Sequence, residues 1–417
     1  MKTLVKNVSY KAQHVDILID GNKIAGIAPD METIADKVID GTGKAVSPGL
    51  VNMHTHLPMT LFRSFADDME LMPWLTQKIW PNEARMTDEM YYWGGRLGCL
   101  EMIKTGTTCF NDQYMNLPVV SRAADDSGMR AFVCSVIMDP TLQMTPAQAI
   151  EKIEKDFEQS AKGLSNRITL TIGTHAIYTV PEAVLREVGR YAREHHLLVH
   201  MHSSETQGEV EDCMKQHGMR PVEWLDSIGF LADNVILAHS LWLSDDEIRI
   251  MADKGVKAVR VPLSNLKLAS GYQFKYEELK ANGVLVGLGT DGNSSANNLD
   301  MLETMKMTSL IDKAWRFDPT TASAKDMFAC ATRNGADMLG IPAGRLEVGC
   351  LADLVLWDLN TPAFTPNYNF VSNLVFSANG YCADTVICDG RVLMENHHVE
   401  GEEEIMARVN ELAKAFV

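Results

Sequence analysis

Two histidines, His54 and His56, stand one residue apart directly after an apolar run at residues 50–53. Such a run is typical of a buried β-strand, and residues two apart on a strand point to the same side. Both imidazoles can therefore reach one point in space, as two ligands of a single metal ion must. Taken alone, the pair is equally consistent with ordinary polar residues at a strand end.

Polar residues after the other predicted strands favour the metal site. Histidines follow four of the eight predicted strands and an aspartate follows the last; these residues are His54 and His56, His175, His202, His239 and Asp291. In a parallel β/α barrel these strand ends all meet at the C-terminal mouth, where catalytic sites are built from several strands at once. The pattern therefore predicts a metal centre at one mouth of a barrel.

The residue types indicate which of these side chains hold the ion. Three imidazole nitrogens and one carboxylate oxygen suit a borderline divalent ion and leave one position for water. The predicted ligands are His54, His56, His202 and Asp291. We predict one ion per chain, with Zn²⁺ preferred over Fe²⁺ or Mn²⁺.

Two further residues are predicted to act beside the ion. Glu205 lies only three residues beyond His202, so it is expected to reach a substrate atom as a general acid/base and not to be a ligand. His239 is predicted to orient or deprotonate the water together with Asp291. The alternatives are an exposed loop position for Glu205 and a purely hydrogen-bonding role for His239. His200 is expected to point away from His202 or to pack, and is left outside the predicted site.

The positions of these residues require a particular fold. Short apolar strands that alternate with helical patterns are predicted at residues 50–53, 107–110, 131–135, 168–173, 197–201, 235–238, 258–261 and 284–288. Eight such units predict an α/β fold, a closed (β/α)8 TIM barrel over residues 49–343, with a doubly wound open sheet as the alternative. No Gly-X-Gly-X-X-Gly turn or P-loop follows a strand, which disfavours a nucleotide cofactor. Short strands near both ends, including a hairpin at Asp20-Gly21, predict a small composite β-sandwich of residues 1–48 and 344–417.

Composition and charge exclude several functional classes. The chain is 46% hydrophobic with a net charge of -17, which is typical of a globular protein and argues against a general affinity for nucleic acid or anionic membrane. Its eight cysteines form no Cys-X-X-Cys pair and mostly lie in apolar runs, which predicts buried thiols in a reducing cytoplasm. No signal peptide or membrane span is evident. A small-molecule substrate is expected, and the sequence leaves a homo-oligomer open.

Four segments carry a family resemblance: PGLVNMHTHLPMTLFR at 48–63, ADDMELMPW at 66–74, HMHSSET at 200–206 and GTDGN at 289–293. Through them the chain resembles the amidohydrolase superfamily, and within it the branch of 5'-methylthioadenosine/S-adenosylhomocysteine deaminases with their chlorohydrolase-like relatives. The resemblance extends over essentially the whole chain, including a split β-sandwich made by both termini. Members with two metals commonly bridge them with a modified lysine after strand four. No lysine occurs there, which favours one metal.

The resemblance implies zinc-dependent hydrolytic deamination at C6 of an adenine ring, with Glu205 protonating the ring nitrogen. It also implies that Glu83, in Trp80-Pro-Asn-Glu83, contacts the ribose hydroxyls, and that His175 approaches the purine or its sugar. Trp74 would supply apolar surface to the substrate. Plain structural roles for Glu83 and Trp74 are the alternatives.

One departure bears on the substrate. Family members that accept S-adenosylhomocysteine typically carry an arginine on the strand-three side, whereas this chain has none between Ala131 and Asn166. A neutral 5' substituent is therefore expected. Two other functions stay open: a deaminase or chlorohydrolase of another heterocycle, such as guanine or an s-triazine, and a barrel without catalysis that serves as a scaffold.

Overall fold

The structure, a computed structural model, describes residues 1–416 of the 417-residue chain. The strands within that range are β1 (Lys2–Tyr10), β2 (Gln13–Asp20), β3 (Lys23–Ala28), β4 (Lys37–Asp40), β5 (Lys44–Pro48), β6 (Leu50–Thr55), β7 (Thr107–Asp112), β8 (Arg130–Ile137), β9 (Ile168–Thr174), β10 (Val199–Ser203), β11 (Val235–His239), β12 (Lys257–Arg260), β13 (Val286–Leu288), β14 (Leu354–Asp358), β15 (Ala383–Cys388) and β16 (Arg391–Met394).

Helices fill most of the remaining chain. The α-helices are α1 (Leu71–Trp74), α2 (Trp80–Glu83), α3 (Asp88–Lys104), α4 (Leu117–Ser127), α5 (Pro146–Ser160), α6 (Glu182–Glu194), α7 (Gln207–His217), α8 (Pro221–Ser227), α9 (Asp245–Lys254), α10 (Pro262–Lys267), α11 (Tyr276–Ala281), α12 (Asn293–Ala296), α13 (Met301–Arg316), α14 (Ala324–Ala329), α15 (Gly335–Met338), α16 (Phe370–Phe376) and α17 (Glu402–Leu412). A π-helical turn at Leu75–Ile79 joins α1 to α2. None of the helices in the described range is long and apolar enough to cross a membrane.

Strands β6 to β13 form the predicted TIM barrel. Each pairs in parallel with the next along the chain, in the order β6-β7-β8-β9-β10-β11-β12-β13, and the helices between them cover the outside. These strands are buried on both faces, so their sequences are continuous apolar runs; every residue of β8, for example, is buried. The barrel prediction is confirmed, and each predicted strand lies within two residues of its observed ends. The uninterrupted order rules out the doubly wound alternative.

The terminal strands form one mixed sheet, in the order β16-β15-β14-β5-β1-β2-β3, with β4 paired in parallel to β1. Its apolar side chains build a core separate from that of the barrel, and they include Val5, Ile17 and Leu354. The predicted β structure from both termini is thus present, including the hairpin between β2 and β3. The division into residues 1–48 plus 344–417 and 49–343 stays a prediction.

A buried ion pair joins this sheet to the barrel. Arg130, at the start of β8, donates from Nε and Nη2 to the carboxylate of Asp353 at 2.9 and 3.2 Å, and from Nη2 to Asp389 at 2.8 Å. Breaking such a buried pair leaves an uncompensated charge, which costs about 3–5 kcal/mol. The sheet is therefore tied to the barrel end opposite the mouth that carries the predicted site.

The seam between the last and first barrel strands closes through specific polar contacts. The amide N–H of Thr290 donates to Asn52 Oδ1 at 3.2 Å, and Asn52 Nδ2 donates to Thr290 Oγ1 at 2.7 Å. The N–H of Asp291 donates to the carbonyl of His54 at 3.0 Å. Gly289 permits this approach, because a Cβ there would lie 2.7 Å from the His54 Cβ and 2.8 Å from its amide nitrogen. The seam thus brings Asp291 against His54.

We predict that Gly289→Ala lowers the free energy of unfolding by about 1–3 kcal/mol, the usual cost of overpacking a rigid contact. Chemical denaturation measures the loss. Gly208→Ala is the matched control, since Gly208 lies in α7 with only Thr206 Oγ1, at 3.9 Å, near its added methyl group. That variant should be as stable as the wild type or slightly more so. Equal effects of the two substitutions would contradict the seam argument.

Candidate metal centre and active site

The four predicted ligands converge at the C-terminal mouth of the barrel. His54 lies in β6, His56 directly after it, His202 in β10 and Asp291 after β13. The Nε2 atom of His56 lies 3.1 Å from Asp291 Oδ1 and 3.2 Å from His202 Nε2. The Nε2 atom of His54 lies 3.6 Å from the same Asp291 oxygen. Strands distant in the sequence thus place four donor atoms around one point.

These donors fit a divalent metal ion. An ion that binds these four donors and a water with bonds of about 2.0–2.2 Å holds neighbouring donors roughly 2.8–3.8 Å apart, which covers the separations above. Within residues 1–416 the Nε2 atom of His54 is buried and has no hydrogen-bond partner. A buried polar atom is normally paired, and a metal ion would satisfy this one. The donor set of imidazoles and one carboxylate suits zinc and similar ions.

The opposite nitrogens of the His56 and His202 rings are held by backbone carbonyls. Nδ1 of His56 donates to the Gln113 carbonyl at 2.7 Å, and Nδ1 of His202 donates to the His175 carbonyl at 2.7 Å. A proton on Nδ1 leaves the lone pair on Nε2, so both rings present their basic nitrogen to the centre. Backbone carbonyls from neighbouring strands therefore set the orientation of two candidate ligands.

Asp291 is held in its ionised form. Burial alone would favour the neutral carboxyl, but the close contacts with the His54 and His56 rings hold the pKa of Asp291 well below its usual range. Asp291 has a φ of 66°, in the left-handed region that non-glycine residues rarely adopt. The seam contact with His54 holds this conformation and directs the carboxylate to the centre.

Glu205 and His239 lie beside the same centre. Glu205 Oε2 is 3.7 Å from His239 Nε2, and both side chains are buried. Burial, Asp291 and Glu209 together raise the pKa of Glu205 well above its usual value, which favours the protonated carboxyl. Glu209 also accepts the amide N–H groups of Ser204 and Glu205 at 2.9 and 2.8 Å, which fixes the turn that presents Glu205.

Of the two alternatives for His200, pointing away from His202 was wrong, and packing is what the structure shows. Residues two apart on a strand share a face, so His200 and His202 both point into the barrel, with His200 one layer deeper. Its Nε2 lies 3.0 Å from His54 Nδ1, and its Nδ1 lies 2.8 Å from Asn111 Nδ2. His200 therefore supports the ring of His54 from below.

The predicted substrate contacts line a cavity above the centre. Glu83, at the end of α2, is buried and accepts a hydrogen bond from Tyr114 Oη at 2.6 Å. Burial raises the pKa of Glu83, against the opposing effects of that hydrogen bond and of His56. The side chains of Trp74 and His175 also line the cavity, together with Glu205 and Asp291. His175 Nδ1 lies 2.7 Å from Thr179 Oγ1.

Three cavity residues were not predicted from the sequence. Tyr114 follows β7 and orients Glu83, and Tyr178 follows β9. Gln113 is 3% exposed, and neither polar atom of its amide has a hydrogen-bond partner among the described residues. The signal available was the position of Gln113 and Tyr114 directly after a strand, which by itself does not distinguish a cavity residue from a packed one.

The family of the chain follows from its sequence. Residues 45–393 match the model of the amidohydrolase family, which is well over half of the chain. The chain belongs to the amidohydrolase family. Among its relatives, the 5'-deoxyadenosine deaminase of Methanothermobacter thermautotrophicus is 45% identical over 96% of this chain and 93% of its own length. The 5-methylthioadenosine/S-adenosylhomocysteine deaminase 1 of Archaeoglobus fulgidus is 43% identical over 96% and 94%.

A solved structure matches over the full length of this amidohydrolase. An adenosine deaminase from Xanthomonas campestris, crystallised with bound zinc, superposes with a TM-score of 0.91 at 31% identity, over 100% of this chain and 98% of that one. The match includes the barrel and the terminal sheet. Family membership and the donor geometry together support a divalent metal at this centre.

We predict that His202→Ala lowers the divalent metal bound per chain, since it removes one donor and leaves a gap beside His56. Elemental analysis of the purified protein measures this loss. The metal should also raise the melting temperature of the wild type more than that of the variant, because only a folded site binds it. His195→Ala, an exposed histidine at the end of α6, is the matched control and should keep its metal. Full metal content in His202→Ala would contradict the assignment of His202 as a metal ligand.

Proposed function

We propose that this amidohydrolase is a zinc-dependent deaminase that hydrolyses adenosine-type nucleosides to inosine-type products and ammonia. The observation that carries the proposal is a single cavity that is lined both by three of the candidate metal donors, His56, His202 and Asp291, and by the Glu83–Tyr114 pair. Relatives that are 45% and 43% identical over nearly their whole lengths are named as deaminases of adenosine derivatives. One zinc ion per chain is part of the proposal.

The side chains around the centre have the protonation states that this reaction needs. A bound divalent ion would supply Lewis acidity and an acidified water. Glu205, favoured in its neutral form, can donate a proton to the ring nitrogen next to C6, while the ionised Asp291 can accept a proton from the water that is added. The two protons of that water end on the ring nitrogen and on the leaving ammonia, so the reaction needs no other reactant.

Glu83 is proposed to bind the ribose. A carboxylate accepts hydrogen bonds from both hydroxyls of a cis-diol, and charge-assisted hydrogen bonds of this kind are strong. Only Oε1 of Glu83 has a hydrogen-bond partner among the described residues, and that partner is Tyr114. Tyr114 thus fixes the orientation of the carboxylate. A free guanine or an s-triazine has no diol, so this pair favours a nucleoside over the other heterocycles.

The 5' end of the nucleoside is proposed to be uncharged. Within residues 1–416 no lysine or arginine lines the cavity, whereas Glu83, Glu205 and Asp291 do. A substrate carboxylate at the 5' end would therefore find no lysine or arginine to pair with, which disfavours its binding. On the strand-three side the lining residues are Val136 and Met138, which offer apolar surface to a methylthio or methyl group.

Two further features of the chain bear on the scaffold alternative and on the cellular compartment. A scaffold without catalysis would not need buried ionisable groups at such short distances, since each is costly to bury. All eight cysteines are free and seven are buried, which supports a reducing, cytoplasmic setting. We propose a small-molecule substrate and no nucleic-acid or membrane partner.

We predict that Glu205→Gln keeps its metal but lowers kcat by about 10²–10⁴-fold, because the amide has the shape of the carboxyl but cannot transfer its proton. Ammonia release from 5'-deoxyadenosine measures turnover, and elemental analysis measures the metal. Loss of metal together with activity would make Glu205 a ligand and refute the assigned role.

We predict that methylthioadenosine, adenosine and 5'-deoxyadenosine have higher kcat/KM values than S-adenosylhomocysteine. Met138→Arg should raise kcat/KM for S-adenosylhomocysteine, relative to that for methylthioadenosine, by about tenfold, because it adds a cation on the strand-three side. Met138→Leu is the matched neutral control. A wild-type preference for S-adenosylhomocysteine would refute the uncharged 5' site.

The ribose assignment has its own test. Glu83→Ala should lower kcat/KM for nucleosides by about 10²-fold or more while barely changing activity on free adenine, since a site that has lost its diol partner no longer discriminates. Equal losses on adenosine and adenine would place Glu83 outside substrate binding.

A further inference from the structure

A buried chain of three side chains leads from β12 to His239. Nη1 of Arg260 donates to Asn265 Oδ1 at 3.0 Å, and Asn265 Nδ2 lies 3.0 Å from His239 Nδ1. All three residues are at most 1% exposed. Arg260 ends β12, Asn265 lies in α10 and His239 ends β11, so two neighbouring strands and a helix hold the chain in place.

The donors and acceptors along this chain can be assigned without ambiguity. A guanidinium has only N–H donors, so the amide atom that faces Arg260 must be the oxygen. The NH2 group of Asn265 therefore faces His239, and Nδ1 of that ring must accept. A neutral imidazole that accepts on Nδ1 carries its proton on Nε2, the nitrogen that faces Glu205 at 3.7 Å.

The hydrogen-bond chain of Arg260, Asn265 and His239 also disfavours a doubly protonated His239 ring. An N–H on Nδ1 would oppose the N–H of Asn265, and the guanidinium adds a positive charge behind it. Within the described residues Arg260 has no ion-pair partner; besides Asn265 it contacts the Tyr272 carbonyl at 3.4 Å and the ring of Phe274, 5.4 Å away. Burying a cation without a carboxylate partner is costly, so packing alone does not account for an arginine at position 260.

We propose that Arg260 and Asn265 are positioning residues that hold His239 as a hydrogen-bond donor toward the cavity. This role rests on the proposed deaminase function of the site. His239 then donates from Nε2 to the oxygen that adds to the ring and does not take its proton, which leaves Asp291 as the proton acceptor. The sequence left both roles open for His239, orienting or deprotonating the water.

The protonation of His239 can be measured directly. Zinc-loaded protein labelled with ¹⁵N-histidine would be examined by long-range ¹H–¹⁵N correlation, which distinguishes a protonated from an unprotonated ring nitrogen. The His239 signals are identified by their loss in His239→Gln. We expect the wild type to carry its proton on Nε2. A proton on Nδ1 in the wild type would overturn the proposal.

Asn265→Asp reverses the hydrogen bond that sets the tautomer of His239. A carboxylate has only acceptors, so His239 should move its proton to Nδ1 and present a bare Nε2 to the cavity. In a serine protease triad the wrong histidine tautomer lowers kcat by about 10⁴-fold, so we expect a loss of roughly 10²–10⁴-fold in kcat with KM and metal content nearly unchanged. An unchanged tautomer in this variant would overturn the proposal.

Asn234→Asp is the matched control. Asn234 precedes the same strand, β11, at the opposite end of the barrel, where its Nδ2 donates to the Leu197 carbonyl at 2.7 Å. This variant should lose stability without moving the His239 proton. If Asn265→Asp does not fold, Arg260→Met provides the second test: it frees the amide to rotate, so the Nε2–H signal should weaken while a Nδ1–H signal appears. A full Nε2–H signal in folded Arg260→Met would count against the proposal.

The tautomer measurement separates this inference from the proposed function. A wild type that releases no ammonia from any nucleoside would refute the deaminase while the NMR result still decides how Arg260 and Asn265 act on His239. Conversely, an active wild type with the Nδ1–H tautomer would refute the positioning role and leave the deaminase standing.

Discussion

The candidate site depends on how closely strand β6 approaches the turn after β13. His54 and His56 come from one side of this seam and Asp291 from the other, and metal ligand distances tolerate deviations of only about 0.2 Å. The hydrogen bond from the Asp291 amide to the His54 carbonyl and the missing side chain of Gly289 set this distance. Closing the barrel therefore also brings three of the four metal donors together.

The turns that carry the site are strained and are held by polar contacts. Ser204, His239, Ser240 and Asp291 all have positive φ values, between 46° and 66°. Such conformations cost on the order of 1–3 kcal/mol each and persist where the surroundings determine them. The carboxylate of Glu209 binds the amides at one of these turns, and the Ser203 carbonyl accepts from the amide of Ser240 at another. The strain is thus offset within the barrel mouth, where it aims side chains at the centre.

The fold was predictable because parallel strands buried on both faces appear as continuous apolar runs, and the donors were predictable because they stand directly after those runs. His200 could have been included as well, since residues two apart share a face. The roles of Asn265 and Tyr114 could not be predicted, because each depends on a partner distant in sequence, which is His239 for Asn265 and Glu83 for Tyr114. Periodicity carries no information on such contacts.

Two carboxyl groups in one cavity are driven to opposite protonation states by their neighbours. Asp291 contacts two imidazoles, which outweigh its burial and keep it ionised. Glu205 is equally buried, but its nearest charged neighbours are Asp291 and Glu209, so burial and repulsion act in the same direction. A divalent ion held by Asp291 would favour its ionised form further. Two carboxyl groups whose pKa values are separated in this way can give and take protons at the same pH, which is what an acid and a base acting on one substrate require.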